Sequence, residues 1–330
     1  MASVPPNQDP IRIQLQSIFL PHASNKIRRL YETTGFTYAR FVHYTSAESA
    51  LNIIKSKRIW MRNTTCMSDY REVQHGYGII RKFFYEGDNR ERFINALEEC
   101  APGVGKEAIG LFDQWWLDIY LNTFIAAVSE HDANEDLHGR LSMWRAFGGN
   151  TARVAIVINV PWHSEGSIAL KLQFSPVAYL KEEEVYAELN RVIDNVHSSS
   201  AFLRTLDRQL IINWVFYMLM IGVACLKHEG FHEEREWRVI YSPMRLPSPL
   251  MVSSNEVIGG IPQVVYKIPI DNTVSDILDD LDFARLFERL IIGPSQYHRV
   301  MHESFVVALT EAGIADAGNR VAISYIPIRT

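Results

Sequence analysis

The sequence predicts an α+β domain built on one mixed sheet, and three observations predict it. Short runs of β character are scattered from residue 41 to residue 326 and do not cluster. Segments of helical period dominate the first third. Neither GxGxxG nor GxxxxGK[ST] occurs, so the glycine loops of dinucleotide-binding and P-loop folds are absent. A sheet drawn from such distant segments implies residues 1–39 as a helical extension and 40–330 as a single domain with helical insertions. At 330 residues, 47% hydrophobic and 22% charged, the chain can bury a large core.

The elements follow in order. Residues 12–32 read as an amphipathic helix interrupted at Pro21. Residues 41–44 form a short strand, then a helix over 46–55, with Thr45 and Glu48 spaced as a capping box. Residues 59–61 are a strand. Asp69 and Glu72 are spaced as cap and third residue of a helix running to 86. Helical patterns continue through 90–100 and 106–121. The period then changes: strands are expected at 123–128, 153–159 and 168–174, with 177–180 extending the sheet and a short helix at 141–147. A helical region covers 182–226 with a break near 198–200. Late strands are expected at 237–241, 264–268, 290–292 and 321–326, and a helix at 295–312 ends before Gly313.

Charge and composition narrow the function classes. A net charge of -5 gives no overall basic field for nucleic acid. A local basic strip, Lys55, Lys57, Arg58 and Arg62, reads most simply as a solvated helix end. Three cysteines without CxxC give neither a disulfide framework nor a zinc finger, and the expected setting is reducing and cytoplasmic. Residues 1–10 lack the order of a signal peptide. Residues 210–226 are nearly all apolar but shorter than the roughly 20 residues of a membrane span, so they read as a core helix, with no membrane partner.

The segment Phe41-Val42-His43-Tyr44-Thr45-Ser46, a helix, Ile59-Trp60-Met61-Arg62-Asn63 and the turn reaching Asp69 form an ordered set. With Trp144, then Lys227, Phe231, Glu234, Glu236, Trp237 and Arg238, and finally Ser324, Ile326, Pro327 and Arg329, the set resembles a widespread bacterial HYTS-type family of unknown function. The resemblance spans about residues 40–329, and departs at Cys66-Met67-Ser68. The opening strand-helix-strand also resembles, more faintly, the start of ADP-ribosyltransferases of the DarT type. That resemblance implies an ADP-ribosyltransferase-like fold, NAD as substrate, and the setting of a bacterial toxin or phage-defence effector.

Cleavage of the nicotinamide bond passes through an oxocarbenium-like species. The expected catalytic residues are Glu236 and His43, with Glu234 in support, because a strand would place Glu234, Glu236 and Arg238 on one face. Tyr44, Trp60 or Trp144 would stack the base, and Arg62 would hold a phosphate. Thr45, Asn63, Asp69 and Arg238 complete the expected NAD-binding set. The acceptor, protein or nucleic acid, is not legible.

Two other classes compete. His228-Glu229-Gly230-Phe231-His232 spells HExxH, whose histidines share a zinc ion when the segment is α-helical. Gly230 and the strand pattern from Glu236 place it at a helix-to-strand turn, so no metal is favoured. The third class is a non-catalytic nucleotide-binding or regulatory module. Simpler readings stand beside each residue: buried histidine, helix caps, core tryptophans and a Glu–Arg ladder along one strand.

Overall fold

The computed structural model describes residues 9–66, 71–146 and 152–327. Its contacts group into two compact units. The first comprises Met1–Thr33, Asn63–Thr123 and Ser175–His232; the second comprises Thr34–Arg62, Phe124–Phe174 and Glu233–Thr330.

In the first unit, the helices Pro10–Phe19, Arg71–Tyr85, Asn89–Glu98, Val104–Asn122, Glu182–Ser198 and Arg208–Ala224 enclose one apolar core, and the helix Pro21–Glu32 packs beside Pro10–Phe19. Pro21 divides the N-terminal helical pattern as expected, since its ring cannot continue the preceding helix. The helix Arg208–Ala224 begins where the Asp207 side chain accepts from the Gln209 and Leu210 N–H groups. It buries Ile211, Ile212, Val215 and Leu219 almost completely, as its all-round apolar character requires. Among the described residues no helix is long and apolar enough to cross a membrane. Gly76 lets this helix approach closely, because a Cβ there would lie 2.7 Å from the Val223 carbonyl oxygen.

Described strands, in chain order, are β1 (Tyr38–Ser46), β2 (Arg58–Asn63), β3 (Phe124–Glu130), β4 (Arg153–Pro161), β5 (Gln173–Pro176), β6 (Ala178–Tyr179), β7 (Leu226–Lys227), β8 (Glu236–Tyr241), β9 (Val252–Ile258), β10 (Ile261–Pro269), β11 (Phe287–Ile292) and β12 (Val321–Ile323). β6 and β7 form a small parallel pair of their own, so residues 177–180 do not extend the main sheet. The main sheet runs β12-β11-β4-β1-β3-β2-β10-β9, with β8 beside β3 and β5 beside β8. It is a mixed sheet assembled from distant segments, as the sequence predicts. β11 and β12 pair in parallel, whereas β1 with β4 is antiparallel over nine residue pairs.

Alternation along these strands makes two faces. The first face carries Met61, Phe124, Ile156, Leu290 and Ile292 into a core with the helices Ala47–Ser56 and His298–Glu311. On it Phe41, Phe174 and Trp237 meet at centroid distances of 5.0–5.1 Å. The second face carries Val42, Tyr44, Ala155, Val157 and Ile291, covered by Met143 and Trp144.

Three local expectations are corrected. Ser46, not Thr45, caps the helix Ala47–Ser56, accepting from the Ser49 N–H at 3.1 Å. Residues 168–174 are not one strand: Ser164 caps a short helix, Glu165–Ala169, and pairing starts only at Gln173. β9 had no counterpart in the strand pattern, because its polar face hides the alternation; the Gly259-Gly260 turn was its usable signal.

Gly139 has φ +65°, and a Cβ there would lie 2.7 Å from the Trp144 ring. Gly139→Ala is expected to destabilise the chain by about 1–3 kcal/mol, read as a lower denaturation midpoint with an unchanged slope. An unchanged midpoint would show that the Trp144 cover is loose.

Candidate functional site

β3 organises the site. β8 pairs with it at every residue from Phe124 to Ser129, filling one edge. β1 and β2 both pair with β3 as well, so they share its other edge. β1 takes only Ser129 and Glu130, opposite Val42 and Phe41. Beyond Val42 the strands part, and His43 fills the gap. Its Nδ1 lies 2.9 Å from the Ala127 carbonyl oxygen. A carbonyl only accepts, so Nδ1 carries the proton and neutral Nε2 is left as an acceptor. Among the described residues Nε2 has no hydrogen-bond partner. Burial lowers the imidazole pKa, against the opposing effect of the Ala127 bond, and favours the neutral ring.

The expected pairing of His43 with Glu236 is not formed across this strand. Directly paired residues share a face. Phe41 pairs with Glu130, and Val128 with Trp237, so Phe41, His43 and Trp237 lie on the first face; the Phe41–Trp237 ring contact agrees. Glu236 and Arg238 pair with Ser129 and Ala127 and point to the second face. There Arg238 Nε and Nη2 donate to the two Glu236 carboxylate oxygens at 2.7 and 3.3 Å. Arg238 is 1% exposed and Glu236 6%.

Glu234 does not share that strand face. It ends the 3-10 turn Glu229–Glu234, and Arg235 then takes φ +47° before β8 begins. The Arg235 guanidinium holds this left-handed kink by gripping Glu130 at 3.1 Å and Asp132 at 2.5 Å. Arg140 reinforces it, donating to the Glu233 and Glu234 carbonyl oxygens.

β2 presents a different constellation. Its partners Pro269, Lys267 and Val265 on β10 lie opposite Arg58, Trp60 and Arg62, which therefore share one face, away from Met61 and its core. Lys267 Nζ sits 4.9 Å from the Trp60 ring centroid and 2.6 Å from Glu256. Arg62 Nε donates to Gln263. Arg58 Nη1 is buried and has no hydrogen-bond partner, and its guanidinium forms no ion pair with any described residue.

Other expected ligands have local work. Tyr44 accepts from the Arg140 N–H at 2.8 Å and lies edge-on to Trp144, and burial pushes its hydroxyl up to about 12. Trp144 is buried and donates to the His138 carbonyl, so it offers no stacking platform. Thr45 is a half-buried residue of β1. Asn63 closes a turn, accepting from the Thr65 N–H and donating to the Leu121 carbonyl. Asp69 lies outside the described residues.

The HExxH spacing also loses its helical premise. Glu229–Glu234 is a 3-10 turn, in which positions four apart are offset by about a third of a turn. His228 Nδ1 accepts from the Gly230 N–H, and His232 Nδ1 donates to the Glu229 carbonyl. Among the described residues no group of three His, Cys, Asp or Glu side chains could hold a metal ion.

Sequence reasoning passed over an ionic network following β3. Arg40 bonds Glu288 and Asp136 at 2.5 and 2.6 Å, and Arg140 bonds Glu135 at 2.8 Å. His131 Nε2 lies 2.9 Å from Asp136, while buried Nδ1 has no hydrogen-bond partner and lies 3.6 Å from a Glu135 carboxylate oxygen. Burial raises the Asp136 carboxyl, but Arg40 and His131 outweigh it and hold it below the usual range. The ionisable run Glu130-His131-Asp132, then Glu135-Asp136, was its signal.

Residues 143–239 match the model of a family described as a protein of unknown function (DUF2971), less than a third of the chain. This corrects the resemblance drawn from the opening strand. The match begins at Met143, beyond the HYTS segment, and gives no support to a DarT-type relationship. No curated protein matches the chain, and no solved structure does.

Burial lowers the pKa of both His43 and His131 below the ordinary 6.5. The unfolded chain then binds more protons in that window, so stability is complete above about pH 6.5 and falls as pH drops through the folded values. The expected slope is at most about 1.4 kcal/mol per pH unit for each histidine. Denaturation of the wild type and of His131→Gln between pH 7.5 and 5 checks this. The variant should lose part of the slope; an equal slope in both would remove His131 from the account.

Proposed function

We propose that the second unit binds an anionic nucleotide, NAD or a related dinucleotide, on the β2 face bearing Arg58, Trp60 and Arg62. The observation that supports this is the alternation itself: guanidinium, indole, guanidinium at every second residue of one strand, with Arg58 Nη1 buried and unpaired. A buried donor without an acceptor costs about 1–3 kcal/mol, which a phosphate oxygen would relieve. Arg58 and Arg62 would hold the phosphates. Trp60 would contact a base or nicotinamide ring through the indole surface that Lys267 does not cover.

Binding is favoured over turnover. Glycosidic cleavage calls for a free carboxylate beside the ribose, and the Glu236 carboxylate is buried and engaged by Arg238 through both of its oxygens. The reading is therefore a nucleotide-binding or regulatory module, with ADP-ribosyl transfer and NAD hydrolysis left as outcomes of its test.

Calorimetric titration of the whole chain with NAD and ADP-ribose is expected to show one site. Arg58→Ala should weaken it about tenfold or more, the worth of one charge-assisted hydrogen bond, and Trp60→Ala should weaken it too. No nicotinamide should form. Absence of binding, or unchanged affinity in Arg58→Ala, overturns the proposal. Nicotinamide release abolished by Glu236→Gln would replace it with catalysis.

A further inference from the structure

Among the described residues the outer edge of β9 is open: β9 ends the main sheet and pairs with β10 alone. No loop backbone bonds to it among the described residues. β9 and β10 are joined by Gly259 and Gly260, both at positive φ, with Ile258 opposite Ile261. That is the two-residue turn suited to strand twist, and it fixes which backbone groups face outward. The pair flanking such a turn exchanges both hydrogen bonds, and the ladder then alternates. Ile258, Glu256, Ser254 and Val252 therefore bond inward to β10. Val257, Asn255 and Ser253 turn their N–H and C=O groups to the free edge. Pro262 opposes Val257, a position where its missing N–H costs no hydrogen bond.

We propose that this edge pairs with the same edge of a second copy of the chain, antiparallel about a two-fold axis at Asn255. The outward residues are symmetric about Asn255. Each Asn255 would exchange both bonds with its counterpart, and each Ser253 with the opposing Val257. All the outward groups of those three residues would then be satisfied.

Charge fits this register. Glu256, the charged residue of β9, would oppose Ser254 of the other copy and not another Glu256. In its own chain it is already paired with Lys267, which holds its carboxyl below the usual range. Apolar side chains fit as well: Val252, 50% exposed, would meet Ile258, and Val257, 69% exposed, would gain cover. β9 contains neither the proline nor the lysine that commonly guards an open edge. One strand pair is a small interface, so the association belongs to the weaker class.

Light scattering and sedimentation of the full chain, over a concentration series reaching about 100 μM, test the proposal. The wild type should approach twice 37.9 kDa. Asn255→Pro removes an outward N–H without breaking the inward ladder. It should remain monomeric throughout, with an unchanged far-ultraviolet spectrum and melting temperature. Val257→Lys, which adds charge but no proline, should also remain monomeric. A wild type that stays at 37.9 kDa overturns the proposal, as does a folded Asn255→Pro or Val257→Lys variant that still dimerises.

Discussion

A strand has two edges, and β3 has three neighbours; the candidate site depends on that constraint. Since β8 occupies one edge along its length, β1 and β2 must divide the other. The division makes β1 leave the ladder after Val42 and opens the place where the His43 ring reaches the Ala127 carbonyl. It also fixes which side chains can cooperate. Faces propagate by register from β1 to β3 to β8, so the His43 and Glu236 side chains are separated by the sheet itself.

The ionic network holds this arrangement from one end. Arg235 adopts a backbone conformation uncommon for a residue with a side chain, and Glu130 and Asp132 make it the anchor of the turn into β8. Arg140 ties the same turn to residues 130 and 135 and to the Tyr44 hydroxyl. Of the expected site residues, Tyr44, Trp144, Glu234 and Asn63 serve local structure through hydrogen bonds, while Arg58, absent from the expected set, carries a buried donor with no hydrogen-bond partner.

Much of the fold was legible because it rests on periodicity. The core helix ending at Ala224 and β4 carry their burial pattern openly in sequence. β9 was not legible, since four of its seven residues are Ser, Asn or Glu and the Val on each side of that polar stretch is exposed. The site was legible in its residue types and not in its geometry. Glu234 and Glu236 are two apart, but the spacing has meaning only if the intervening residue is extended, and Arg235 is not. The HExxH spacing failed for the same reason, a 3-10 turn standing where an α-helix was required. Arg58, Trp60 and Arg62 share one face because β2 is regular throughout.

The central claim concerns where a nucleotide sits, so a crystal structure of the chain soaked with ADP-ribose tests it most directly. The account predicts pyrophosphate density within hydrogen-bonding distance of the Arg58 and Arg62 guanidinium groups, on the side of β2 facing away from Met61. A ligand lodged between Glu236 and Arg238, or density elsewhere with Arg58 still unpaired, would contradict it.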